Sequence, residues 1–206
     1  MRLTRRLVSV AAVAFIAAAS SACAVTTSAE LLDTIAFGDA ASEHNHGLTQ
    51  IRSEVIRGGL GEPARQLVPL EPVSFNGGSV SFKFQVDPAR QNYFTVKLWG
   101  SDKGEECGRL ILYLNGEQVG YRHEGDYDVL NQSDTEAIYP GRFLYQTLPL
   151  PPMLTRGKTN VLLKIEGLGR MWPYGANFAQ KQKNLTQPTR GLYRAYSHTN
   201  PRFTPE

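Results

Sequence analysis

Four segments of this chain place apolar residues at every second position, the pattern a β-strand with one buried face requires. Val80, Phe82, Phe84 and Val86 alternate with Ser79, Ser81, Lys83 and Gln85. Phe94, Val96 and Leu98 alternate with Tyr93, Thr95, Lys97 and Trp99, and the same period returns in Leu110, Leu112 and Leu114 and in Val161, Leu163 and Ile165. Turn formers bound these runs: Asn76-Gly77-Gly78, Asp87-Pro88, Asn115-Gly116 and Thr155-Arg156-Gly157-Lys158. Asn115-Gly116 lies between two strand-like runs, and both residues tolerate the positive φ of a type I′ turn, so a hairpin is predicted there.

Further strands are expected over 51–56, 142–148 and 192–197, while Pro149, Pro151 and Pro152 exclude a helix interior or a central strand. The glycine-rich segment 44–69 is read as loops around the first of these strands, and 25–35 as a helical or irregular lead-in. Short strands between turn signals, with no long amphipathic helix and no fixed-period repeat, define an all-β sandwich.

The first 24 residues have a different character. MRLTRR is a cationic start, residues 7–19 are apolar, and SSACA supplies the small residues of a cleavage site, which together read as an export signal. The apolar run is too short for a membrane span of about 20 residues, and no second one follows, so no transmembrane span is expected. Arg5-Arg6 resembles a twin-arginine signal, with the general secretory route as the alternative. Ser21-Ala22-Cys23 resembles the end of a lipoprotein box and makes Cys23 a candidate lipid anchor, whereas Ala22-Cys23-Ala24 suits ordinary cleavage. The expected organisation is a signal over 1–24, a lead-in over 25–36 and a sandwich domain over 37–206. With only Cys23 and Cys107 there is no disulfide framework, and the expected location is the bacterial cell envelope or the extracellular space.

Arg2, Arg5 and Arg6 leave with the signal, so the formal +3 of the whole chain falls to zero. That balance argues against a nucleic-acid partner. Charge is nevertheless uneven: residues 170–206 carry a formal +5 interleaved with Trp172, Tyr174, Phe178, Tyr193, Tyr196 and Phe203. Such a tail suits an anionic glycan or an acidic neighbouring domain, or it folds back across its own acidic sandwich.

Several side chains carry candidate chemistry. Trp99, Trp172, Tyr174 and Tyr121 offer flat apolar faces for stacking on a sugar, although Trp99 at a strand end better suits the rim of the core. Arg122-His123-Glu124-Gly125-Asp126-Tyr127-Asp128 concentrates groups able to direct hydrogen bonds to hydroxyls, with a solvated turn as the alternative. His44-x-His46 would place two imidazoles on one side of an extended segment, but no third zinc ligand follows at a suitable spacing. Glu105, Glu106, Asp126 and Asp128 are the carboxylates from which a glycosidase pair would have to come. There is no G-x-S-x-G elbow, no H-E-x-x-H helix and no phosphate-cradling glycine loop, so catalysis is the minority reading.

Three stretches, YFTVKLWGSD at 93–102, RLILYLNGEQVG at 109–120 and PGRFLYQTLPLPPMLTRGKTNVLLKIE at 140–166, resemble the galactose-binding-like jelly-roll sandwich appended to bacterial β-L-arabinofuranosidase-type hydrolases. With FGDAASE at Phe37, GYRHEGD at Gly120 and GLYRAYSHT at Gly191, the chain also resembles the leading domain of large exported actinobacterial proteins. The resemblance implies a jelly-roll fold and an accessory role beside a catalytic module, and the chain is expected to be a stand-alone version or the front of something larger. It also implies a structural calcium ion, for which Asp126 and Asp128 are the candidate oxygen ligands. The expected function is a secreted, non-catalytic module that binds carbohydrate or supports an adjoining glycan-degrading domain. The expected ligand surface comprises Trp99, Asp102, Arg122, His123, Asp126, Trp172 and Tyr174. The alternatives are a purely structural protein-interaction domain and a small glycoside hydrolase or lyase.

Overall fold

The computed structural model describes residues 30–100, 109–123, 141–171 and 183–205, with the backbone alone for Arg109, Tyr121, Arg122, His123, Met171 and Lys183. In chain order the elements are β1 (Leu31–Ala36), α1 (Ala40–Asn45), β2 (Thr49–Ile51), β3 (Ser53–Arg57), a 3₁₀ turn (Gly59–Gly61), β4 (Pro63–Leu67), β5 (Asn76–Gln85) and β6 (Tyr93–Trp99). They continue with β7 (Arg109–Leu114), β8 (Glu117–His123), β9 (Phe143–Pro149), α2 (Pro152–Thr155), β10 (Asn160–Leu168), β11 (Arg170–Met171), β12 (Lys183–Asn184) and β13 (Arg194–His198). Among the described residues no helix is long and apolar enough to cross a membrane.

Two antiparallel sheets carry the fold, one ordered β1-β13-β6-β9 and the other β2-β5-β10-β7-β8. Setting aside β2 and the hairpins β3-β4 and β11-β12, eight strands remain. The first pairs with the eighth, the second with the seventh, the third with the sixth and the fourth with the fifth. That nesting is a long chain hairpin wound around a barrel-like sandwich, so the topology is a jelly roll. Its tip is the predicted hairpin: Asn115 and Gly116 have φ of 52° and 92°, and the Asn115 side chain accepts the Leu162 N–H at 3.0 Å, fastening the turn to β10.

Alternation explains the core. Phe82, Phe84, Leu114 and Leu163 are fully buried from the five-stranded sheet, and Phe94, Leu98 and Ala195 from the four-stranded one. Phe82 meets Phe84 edge-on at 5.4 Å, and Phe84 crosses to Phe94 at 6.3 Å. Each of the leucine and phenylalanine side chains contributes roughly 1.5–3 kcal/mol by leaving water.

Two expectations are corrected. The lead-in contributes β1, whose residues pair with β13 from Leu31 to Ala36. Asp33 breaks its alternation, because that carboxylate accepts the Thr34 and Gln85 N–H groups at 2.9 Å each and lies 3.1 Å from His46 Nε2. The segment 44–69 is likewise more than loops around one strand, since it holds β2, β3 and β4. Its organiser is an ion pair between Glu43 of α1 and Arg65 of β4, joined at Nε to Oε1 by 2.8 Å and at Nη2 to Oε2 by 2.5 Å. His44 and His46 therefore sit at the end of α1 and in the turn after it, not on an extended segment, and His46 Nδ1 donates to Ser42 O at 2.7 Å while its Nε2 faces Asp33.

Candidate ligand-binding pole

Strand register brings several strand ends to one pole of the sandwich. Trp99 ends β6 opposite Phe143 at the start of β9, His123 ends β8 opposite Arg109 at the start of β7, and Leu110 faces Gly167 near the end of β10. The strand ends that flank 101–108, 124–142 and 169–193 thus lie together, which is the placement a jelly roll gives to alternate connections. Asp102, Asp126, Asp128, Trp172 and Tyr174 lie outside the described residues, and Arg122 and His123 enter by backbone position only.

Trp99 is the candidate whose side chain is described. It is half-buried, and its indole lies flat over the turn after β3: a Cβ built on Gly59 would come within 2.0 Å of Trp99 Cδ2. Only glycine lets the indole sit this close to the backbone. Phe143 meets the indole edge-on at 4.7 Å and meets Tyr193 at 5.1 Å. The Tyr193 hydroxyl accepts the Gly59 N–H at 2.6 Å, closing a ring of contacts around the tryptophan.

Behind this cluster Lys97 is fully buried on the outer face of β6. Its Nζ lies 3.8 Å from the Phe143 ring centroid and donates to both carboxylate oxygens of Glu62, at 3.0 and 3.1 Å. A buried ammonium held by a carboxylate and an aromatic face is a compensated charge, so it fixes the two elements rather than offering a free cation. Arg190, also buried, donates from Nη2 to Gly100 O at 2.7 Å and ties the segment before β13 to the residue after Trp99. The described part of the basic aromatic tail is therefore folded into the sandwich: β13 lies between β1 and β6, and Phe203 stacks on His198 at 4.3 Å.

Lys97, Glu62, Phe143, Tyr193 and the Gly58-Gly59 pair are the contributors missed from the sequence. Lys97 occupies a position that alternation assigns to solvent, and nothing local links Glu62 or Tyr193 to β6. The outer face of this sheet is buried as well, with Thr95 and His198 at 0% exposure. Burial holds the His198 imidazole below its ordinary range, opposed by the Asn200 backbone and by Glu30. On the other sheet Tyr113 donates to Glu166 at 3.3 Å, and burial followed by the Glu166 charge pushes its phenol up.

The arrangement offers a rigidly mounted, partly exposed indole at the pole where three connections depart. Among the described residues no group of three or more His, Cys, Asp or Glu side chains could hold a metal ion.

The class this defines is a jelly-roll β-sandwich with an aromatic cluster at one pole. Neither a family model nor a curated protein matches the sequence. Among solved structures the chain is similar to a family 35 carbohydrate-binding module from an environmental isolate, at 11% identity and a TM-score of 0.46, covering 80% of this chain and 92% of that one. It is also similar to the CBM36-1 domain of a multidomain xylanase from the hindgut metagenome of Trinervitermes trinervoides, at 11% identity and a TM-score of 0.44, covering 80% and 94%. A third similar structure is an exo-β-1,3-galactanase from Phanerochaete chrysosporium, at 8% identity and a TM-score of 0.45 over 81% of this chain. The chain matches only 29% of that galactanase's length.

Proposed function

We propose that this chain is an exported, non-catalytic carbohydrate-binding module that works beside a glycan-degrading domain, with its ligand at the Trp99 pole. The observation that carries the reading is the mounting of Trp99: half-buried, seated on Gly59, and braced by Phe143. A sugar ring stacks on such a face through its axial C–H groups, and a preformed indole loses little conformational entropy on binding. Asp102, Arg122, His123, Asp126, Trp172 and Tyr174, which belong to or adjoin the connections leaving this pole, are proposed to supply hydrogen bonds and further stacking, and Asp126 and Asp128 to hold calcium. The export signal read over residues 1–24 supports a location in the envelope or outside the cell.

Calorimetric titration of the mature chain with a panel of plant and microbial glycans tests this. Binding between the millimolar and micromolar range, about −4 to −8 kcal/mol, is expected for one glycan class and is lost in Trp99→Ala. Silence across the panel, or equal binding by Trp99→Ala, overturns the reading.

A further inference from the structure

The opposite pole holds a cavity. The connections β5–β6 and β9–β10 meet there around a space of about 220 Å³ lined by Pro88, Arg90, Gln91, Pro152, Thr155 and Arg156, among others. That is room for about seven waters at roughly 30 Å³ each, the scale of one sugar ring and not of a glycan chain.

Its walls are preformed. Asn92 is fully buried, donates to Asp87 O at 2.8 Å and Arg90 O at 3.0 Å, and accepts the Asp87 N–H at 2.7 Å. Gly157 N donates to Pro88 O at 2.9 Å and joins one connection to the other. Gln91 spends its amide hydrogens on Asn92 O and Leu150 O, both at 2.7 Å.

One carboxylate adjoins this cavity, and two arginines line it. The Asp87 carboxylate is already engaged, accepting the Ala89 and Arg90 N–H groups at 2.8 and 2.9 Å and Arg90 Nε at 2.7 Å. Those bonds, the Ala89 N–H first, hold it below the usual carboxylate range. Arg156 is exposed at the rim, and its guanidinium has no hydrogen-bond or ion-pair partner among the described residues. Lys158 stands two residues further on. Beyond the Arg90–Asp87 pair, Arg156 thus brings a further cation to the cavity lining. A planar fork of donors suits a carboxylate, and Gln91 and Thr155, which also line the cavity, carry oxygen groups of the kind that pair with hydroxyls.

We propose that this pole binds a small hydroxylated carboxylate, a monomeric sugar acid, with Arg156 pairing the carboxylate. The site is separate from the Trp99 pole and stands or falls without it.

The test is a nuclear magnetic resonance titration of the mature chain with sodium glucuronate, glucose and inorganic phosphate in parallel. Glucuronate is expected to shift the amide signals of 89–91 and 155–158 while glucose leaves them in place. Arg156→Ala should weaken glucuronate about tenfold with no change in unfolding midpoint, since the side chain is exposed. Equal shifts with glucose, phosphate binding as tight as glucuronate, no shift with glucuronate, or full binding by Arg156→Ala each overturn the proposal.

Discussion

His198 Nε2 lies 2.7 Å from Thr95 Oγ1, and both residues are fully buried on the outward side of the four-stranded sheet. The Thr95 hydroxyl continues to Thr147 Oγ1, also at 2.7 Å, and the His198 ring is flanked by Tyr93 at 5.6 Å and Phe203 at 4.3 Å. An imidazole so enclosed is held neutral, and burial is the main cause.

Stability therefore falls in mild acid. With the folded pKa depressed, the unfolded chain binds more protons as pH drops through about 6.5, the ordinary histidine value, so the neutral His198 stabilises the fold above that pH and loses its contribution below it. Urea midpoints should decline from pH 7.5 to 5.5, and His198→Gln, which cannot titrate, should flatten that part of the profile. A His198→Gln profile parallel to wild type would contradict the assignment.

Gly59→Ala is expected to disturb Trp99 more than the fold. The added methyl meets the indole at 2.0 Å, so the ring must leave its seat, at a cost of about 1–3 kcal/mol typical of overpacking. In a Trp172→Phe background the remaining tryptophan emission should shift to the red. Glycan binding at this pole should fall together with it, and unchanged emission would show that the indole does not rest on the turn.

How much of this was legible in sequence depends on how local its cause is. Phe82, Phe84, Leu98 and Leu114 face the core as their alternation requires, and Asn115-Gly116 turns as its φ tolerance requires. β1 escaped because Asp33 interrupts its apolar period for the sake of His46 and Gln85, residues it meets only after folding. β4 escaped because Arg65 is buried by Glu43 from another element. Trp99 was visible as an aromatic residue ending a strand, while its seat comes from Gly59 and its brace from Phe143 and Tyr193, far apart along the chain. Lys97 misled most directly, since a lysine on the alternate face of a strand reads as solvated and is here at 0% exposure.

The Lys97–Glu62 pair should respond unequally to loss of either partner. Glu62 is 32% exposed, so Lys97→Met leaves a carboxylate that water can reach and a thioether chain that packs against Phe143. Glu62→Gln instead leaves the fully buried ammonium without its counter-charge, which costs about 3 kcal/mol. Chemical denaturation should rank the variants with Glu62→Gln the less stable, and the reverse order would mean that the charge is compensated elsewhere.

Asp33 gives the sharpest test of β1 as part of the domain. Its two oxygens serve the Thr34 and Gln85 N–H groups and the His46 ring, linking β1 to β5 and to the turn after α1. Asp33→Ala removes three partners at once and leaves the N–H groups to water, so a loss of about 2–3 kcal/mol is expected at neutral pH. Asp33→Asn keeps an acceptor oxygen and should recover part of it. If both variants unfold at the wild-type midpoint, β1 is not a stabilising strand of the sandwich.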